Sequence, residues 1–546
     1  LISNIALIIF YTIEWIGASI LYYQTAHFAL YIKVVAKTSK VGIIEDDFIG
    51  LNCYSGGSKA DMNRRNFLKA MGLSAAAFTL GGCNVNSRRS ADGVPAKKPN
   101  FLFILIDDMG WRDVGFMGST FYETPNIDRL ADQGMVFSSA YSNAPNCAPT
   151  RASLMSGQYS PRHGIYTVGN SDRGDKKLQK IIPIPNKTTL DTNVTTFAEL
   201  LKPAGYISAS MGKWHLGSDP ELGPVSQGFD INIAGDKRGS PGKAGYFVPY
   251  KNANLPDGPE GEYLTDRLTE EALKFLETNK DRPFFLYLPH YAVHTPIQAK
   301  KKLIEKYKKK TPTDLQKNPA FAAMVESVDQ GVGKILAKLD ELKLTENTVV
   351  IFTSDNGGVG GYREIGIIDK EITHNAPLKA GKGTLYEGGI RVPMTARWPG
   401  KIKPRRTCDT PVITLDFYPT ILEIAGIKKP ANQILDGESI VPLLTSKEGL
   451  KRKAIFWHIP AYLPAKGGFR TTPAGAIRSG DYKLIEFFED NRIELYNLKE
   501  DIGEQNNLTE KSPGKAKELH DLIKNWRKSI NAPVPKTPNP KYKPKP

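Results

Sequence analysis

The chain has 546 residues, 40% of them hydrophobic and 24% charged, with 49 Gly and 38 Pro. That size and composition describe a large globular protein with more than one domain and exclude low-complexity disorder. Lys plus Arg number 73 against 57 Asp plus Glu, a balance of +16 that favours anionic partners through long-range attraction; no nucleic-acid-binding motif accompanies it, so nucleic acid is not an expected partner.

The N-terminal end reads as targeting sequence. Residues 2–23 are apolar and nearly long enough to span a bilayer, with Glu14 inside the run at a cost. Met62 then opens a basic head, Asn63-Arg64-Arg65, followed by a small-residue apolar stretch over 70–82 and Cys83. Basic head, short apolar middle and small residues at the end describe a secretory signal. The paired arginines before Phe67 resemble a twin-arginine signal, and Leu80-Gly81-Gly82-Cys83 resembles a lipobox, whose cysteine carries lipid. The expectation is that translation starts at Met62. Residues 1–61 are then an upstream extension and not native, 62–83 an export signal and 84–98 a polar tether. The competing reading, a real membrane helix at 2–23, makes the second signal redundant. The expected location is outside the cytoplasm, as a periplasmic or outer-surface lipoprotein, with the membrane touched only through the lipid anchor.

In the body, the continuous apolar run 100–106 suits a strand buried on both faces and ends in Asp107-Asp108. A helix follows over 124–131, with Thr124 as N-cap and Pro125 at its first position. Residues 197–204 are helical in pattern, and 206–211 form a short strand ending at Gly212-Lys213-Trp214-His215. The strand 283–288 ends near His290 and His294. An amphipathic helix over 321–342 leads to a strand at 348–353, which runs into Ser354-Asp355-Asn356-Gly357. A helix at 415–425 stops at Gly426. After Leu444 come short strands at 454–458, 475–477, 482–487 and 493–496, with turns at Gly480-Asp481 and Asp490-Asn491. A helix over 515–530 follows the Pro513-Gly514 breaker, and the Pro- and Lys-rich tail 532–546 is expected to fray.

Strands alternating with helices predict an α/β fold with a large, mostly parallel sheet sandwiched by helices. The expected domains are 99–445, carrying that sheet, and 446–531, a smaller antiparallel sheet plus helix. Ligands bind beyond the carboxyl ends of parallel strands, and four separate strands here end in polar, ligand-capable residues. Asp107, Asp108, Asp355 and Asn356 are hard oxygen donors, which favour Ca²⁺, or Mg²⁺, over zinc. The four cysteines, Cys53, Cys83, Cys147 and Cys408, do not make a disulfide framework. Cys408 is expected to be a free thiol. The lysine runs 300–302 and 308–310 read as solvated faces that could attract an anionic polymer.

Cys147-Ala148-Pro149-Thr150-Arg151, followed by Ala152-Ser153-Leu154-Met155-Ser156-Gly157, resembles the signature of the formylglycine-dependent (type I) sulfatases. Gly212-Lys213-Trp214-His215-Leu216-Gly217 resembles a second block of that family, and residues 378–393, containing Lys382, a third. The resemblance covers about Asn100 to Asn507. It implies the alkaline-phosphatase-like fold, conversion of Cys147 to formylglycine by a maturase, and a divalent cation held by Asp107, Asp108, Asp355, Asn356 and the converted Cys147. It implies further that Arg151 holds the formylglycine and offsets charge, and that Lys213 contacts sulfate. His215 acts as base when sulfate is expelled, and His294, preferred over His290, and Lys382 bind sulfate and assist the leaving oxygen. Lys379 reads as a neighbouring solvated lysine, and His374 and Asn375 as sugar-facing residues. Loops 168–191 and 236–264 are expected to shape specificity.

The function expected from these residues is hydrolysis of sulfate esters on a sulfated polysaccharide or oligosaccharide. Two alternatives accompany it. One is a phosphonate monoester or phosphodiester hydrolase of the same superfamily. The other is an inactive surface protein that binds sulfated glycans.

Overall fold

The computed structural model describes residues 97–313, 315–445 and 449–544. The export signal, Cys53, Cys83 and the alternative membrane helix lie outside the described residues. Eight strands build the main sheet: β1 (Asn100–Ile106), β2 (Met135–Phe137), β3 (Ile207–Met211), β4 (Ile231–Ile233), β5 (Phe284–Pro289), β6 (Thr348–Ser354), β7 (Met394–Arg397) and β8 (Arg406–Cys408). Their order across the sheet is β4-β3-β5-β1-β6-β7-β2-β8. The first five strands in that order are mutually parallel, and β7 runs antiparallel to both its neighbours.

Alternation along β1 shows why the sheet is covered on both faces. Leu102, Ile104 and Ile106 enter one apolar cluster with residues of the helices Leu264–Asn279 and Pro319–Glu341. Phe101, Phe103 and Leu105 enter the other, with residues of Cys147–Ser156 and Phe417–Ala425. Successive side chains of a strand point to opposite faces, so a run that is apolar at every position needs helices above and below.

A second sheet follows, with β9 (Ala454–Ile459), β10 (Ala474–Ser479), β11 (Tyr482–Phe487) and β12 (Ile493–Asn497) antiparallel in that order. One face packs Ile477, Leu484 and Leu495 on Ala516, Leu519 and Ile523 of the helix Pro513–Ser529. The other packs Trp457, Ile459 and Ile485 with Tyr141, Leu385 and Ile390. A hairpin, Leu463–Ala465 with Gly468–Thr471, projects between β9 and β10.

Several local expectations are corrected. Thr124 stands at the N-cap position but does not cap; its hydroxyl donates to Asp128 Oδ1 (3.0 Å) and accepts from Gly115 N (2.7 Å). Among the described α-helices the side-chain caps are Thr196, in a capping box with Glu199, and Asn318. Pro513 is the first residue of the last helix rather than a breaker before it, as its fixed φ and missing N–H allow. The described part of the tail, 532–544, is held rather than frayed. Ile182 N donates to Thr537 O (2.8 Å), Asn539 N to Lys180 O (2.9 Å) and Lys543 N to Lys177 O (2.8 Å), so it lies along the loop at 176–182.

Candidate active site

The sheet order places the carboxyl ends of β3, β5, β1 and β6 side by side. The residues that follow them are Lys213, His290 to His294, Asp107-Asp108 and Asp355-Asn356. Gly212 makes the turn after β3 possible. Its φ is +133°, and a Cβ there would lie 2.0 Å from the Pro289 carbonyl. Asp108 and His215 hold left-handed backbone, with φ of 64° and 66°, a conformation costing on the order of 1–3 kcal/mol that persists where the surroundings impose it. For Asp108 the surroundings are Asp355 Oδ1 on its N–H (3.2 Å) and Ser354 Oγ on the next N–H (3.1 Å).

Cys147 opens the helix Cys147–Ser156, whose every residue is buried. Arg151 is one turn further on and so shares its face. The Arg151 guanidinium donates through Nε and Nη2 to Asp355 Oδ2 (2.9 and 2.7 Å) and through Nη1 to the Lys213 carbonyl (2.6 Å). Lys213 Nζ donates to Asp107 Oδ2 (2.6 Å) and Lys382 Nζ to Asp108 Oδ1 (2.5 Å). Asn356 Nδ2 also donates to Asp108 Oδ1 (2.8 Å). Three carboxylates are therefore matched by three cationic side chains, all buried or nearly so.

The donor atoms fit a hard cation. Asp107 Oδ1 and Asn356 Oδ1 are buried and find no protein donor, a costly state for acceptors unless something else pairs with them. Ligand atoms of Asp107, Cys147 and Asp355 lie within 4.8 Å of one another, as do those of Asp107, Asp108 and His294. Burial pushes the Asp107 carboxyl well up, against the pull of Lys213, which a divalent cation would oppose. Burial acts the same way on Asp108, but Lys382 and His294 overcome it and hold that carboxyl below its ordinary range. With the carboxylates already neutralised by side chains, a bound divalent ion leaves the site with net positive charge, suited to an anionic substrate.

Above this layer is a cavity of about 420 Å³, lined among others by Cys147, His215, His294, Lys382, Arg173 and Arg470. His215 is neutral at neutral pH, since burial and then Lys213 and Arg151 depress it strongly; its Nδ1 is buried without a partner. His294 is pushed down to about 3 by burial and Lys382. Its Nδ1 lies 2.7 Å from the Thr295 carbonyl, which can only accept, so Nδ1 carries the proton and Nε2 faces Asp108 Oδ2 at 3.6 Å. Donation from Nε2 therefore requires the imidazolium, which an approaching anion favours.

The structure brings Cys147, Arg151, His215, His294, Lys382 and the four oxygen-donor residues together. Lys213 belongs to the layer below the cavity and does not line it. His290 is buried beside β1 with both ring nitrogens unpartnered, and it too is absent from the cavity wall. His374 and Asn375 do not line the cavity either. His374 pairs with Glu364 (3.1 Å) and accepts from Ala376 N (3.1 Å), while Asn375 Nδ2 ties the carbonyls of Gly358 (3.1 Å) and Ala380 (2.9 Å). Lys379 is only partly exposed: Nζ donates to Glu504 O (2.9 Å) and sits 4.4 Å from the Tyr386 ring centroid. The residues not anticipated individually are Arg173, within a loop flagged for specificity, and Arg470, on the hairpin.

The family model "Sulfatase" matches residues 99–427, and the model "N-sulphoglucosamine sulphohydrolase, C-terminal" matches 380–531. A protein named sulfatase from Formosa agariphila is 35% identical over 513 residues, covering 80% of this chain and 90% of its own. N-acetylgalactosamine-6-sulfatase of Homo sapiens is 34% identical over 390 residues, covering 67% and 69%. The crystal structure of Ps i-CgsB in complex with k-i-k-neocarrahexaose superposes with a TM-score of 0.65 at 32% identity, over 79% of this chain and 93% of that one. A family model over most of the described chain, and a relative 35% identical along 90% of its own length, show the family: the chain belongs to the sulfatase family and is a sulfuric ester hydrolase.

Proposed function

We propose that this sulfatase removes sulfate from a carbohydrate, using formylglycine derived from Cys147 and a divalent cation, Ca²⁺ in preference to Mg²⁺. The observation that carries the reading is Cys147 at the base of the cavity, its sulfur within 4.8 Å of donor atoms of Asp107 and Asp355. Support for a carbohydrate comes from the names of the relatives, one an N-acetylgalactosamine-6-sulfatase and one solved with k-i-k-neocarrahexaose. Flexible, all-oxygen coordination by carboxylates and an amide is the chemistry of Ca²⁺.

When present, the cation and the hydrated aldehyde supply Lewis acidity and the nucleophilic oxygen. The chain's own residues do the rest. Arg151 fixes Asp355 and the Lys213 backbone, so the carboxylate has one orientation. Lys382, on the cavity wall, brings preorganised positive charge to the anionic oxygens, which lowers the barrier, and His294, protonated as the anion binds, meets the departing alcohol oxygen. His215, neutral and with an unpartnered ring nitrogen, accepts the proton when sulfate is expelled. We also infer export and lipidation of Cys83, supported by the 62–83 segment alone and tested by mass spectrometry of the mature N-terminus.

The activity test compares hydrolysis of matched sulfate, phosphate and phosphonate esters by wild type and Cys147→Ala. Sulfate turnover that dominates in wild type and vanishes in the variant supports the reading. Preferred phosphonate cleavage, or a Cys147→Ala protein with unchanged sulfate turnover, contradicts it.

A further inference from the structure

Sulfate chemistry at the cavity floor leaves two cationic side chains of the wall unused, Arg173 and Arg470. Arg173 lines the cavity, its Nε is buried without a hydrogen-bond partner, and among the described residues no carboxylate pairs with it. Burial disfavours its charge; of its neighbours, Cys147 opposes that and Arg470 adds to it. The other arginines around the site all have carboxylates: Arg151 has Asp355 and Arg470 has Asp369. A partly buried guanidinium held beside another one and left without a counter-charge is unfavourable unless a bound anion completes it.

The backbone of Arg173 and the guanidinium of Arg470 are held in place before any ligand arrives. The Arg173 backbone is fixed by Gln179 Nε2, which donates to the carbonyls of Asp172 and Arg173 (3.0 Å each). Tyr462 N donates to Ser171 O (2.8 Å), so the loop is stitched to the chain leading into the hairpin. Arg470 Nε donates to Asp369 Oδ2 (2.6 Å) and its guanidinium lies 4.7 Å from the centroid of the Tyr362 ring. Tyr362 OH in turn donates to the Lys382 carbonyl (2.7 Å). Gly383, with φ of +91°, lets the Arg470 side chain pass directly over the residue after Lys382; a Cβ there would lie 3.2 Å from Arg470 Cδ. The wall is thereby tied to the lysine at the sulfate end of the cavity, and two rigid guanidinium forks suit a planar or tetrahedral oxyanion.

We propose that Arg173 and Arg470 form a second anion-recognition element, and that the preferred substrate is a saccharide bearing another anionic group, sulfate or carboxylate, besides the sulfate that is cleaved. The proposal rests on the carbohydrate sulfatase reading above and adds the substrate's charge pattern to it.

The test is calorimetric titration of the Cys147→Ala protein with three disaccharides: one singly sulfated, one doubly sulfated, and one carrying a sulfate and a uronic carboxylate. At least one doubly charged ligand is expected to bind about tenfold tighter or more than the singly sulfated one, the size of a charge-assisted hydrogen bond. Which of the two does so identifies the second group. Arg173→Gln in the same background is expected to erase the difference and Arg173→Lys to keep part of it. Equal affinities for all three ligands, or an Arg173→Gln protein that loses affinity for all three alike, would overturn the proposal. Sulfate release from the same ligands by the protein with Cys147 intact reads the parent activity separately. No release together with Arg173-dependent binding contradicts hydrolysis and leaves the second anion site standing.

Discussion

At the scale of single residues, the site is a set of buried charge pairs, and breaking one leaves its partner exposed to the full penalty of burial. Arg151 and Asp355 are 1% and 0% exposed. Asp355→Asn is expected to lower the unfolding free energy by about 3–5 kcal/mol, measured by urea denaturation, and to abolish turnover; a loss within experimental error would mean the pair is not structurally coupled. Lys382→Met acts differently, because Lys382 lines the cavity: kcat is expected to fall about 10²–10³-fold, the cost of losing one preorganised charge donor. A change in KM alone would assign Lys382 to binding only. The residues that were legible sit in contiguous blocks with fixed spacing, Cys147 to Arg151 and Gly212 to His215. Arg173 and Arg470 were not, because a loop and a hairpin more than a hundred residues downstream meet only through packing. His374 and Asn375 lie near Lys382 in sequence, yet the intervening turn directs Asn375 to backbone carbonyls instead.

Among elements, the long strands of the sheet centre were readable because each is an unbroken apolar run ending in a polar block. The three-residue strands Met135–Phe137 and Arg406–Cys408 carry too little pattern to stand out, and their pairing depends on neighbours far away in sequence. The same holds for the join between the second sheet and the Lys382 block. There Lys483, fully buried on β11, pairs with Glu387 (2.9 Å) and Glu504 (2.8 Å), and Glu387 also pairs with Arg391 (3.1 Å) and accepts from Tyr141 OH (2.7 Å). Glu387 starts the short helix Glu387–Ile390, five residues after Lys382. Lys483→Met is therefore expected to destabilise the protein by about 3–5 kcal/mol, seen as a lower Tm, and to reduce kcat although Lys483 does not line the cavity. Unaltered Tm and kcat would show that the second sheet does not support the site.

For the molecule as a whole, the charge balance ties stability to the cation. Three carboxylates and three cationic side chains cancel, while Asp107 Oδ1 and Asn356 Oδ1 remain buried acceptors without donors. Ca²⁺ at a hundredfold its dissociation constant is expected to add about 2.7 kcal/mol of stability and chelation to remove it together with activity, followed by calorimetric melting; Asp107→Asn should abolish the calcium-dependent shift. The most direct test of the central claim is mass spectrometry of the Cys147 peptide from actively turning-over protein. An aldehyde or its hydrate at position 147, in a fraction that scales with sulfate release, is the expected result. Active protein whose residue 147 is entirely unmodified cysteine would contradict the account.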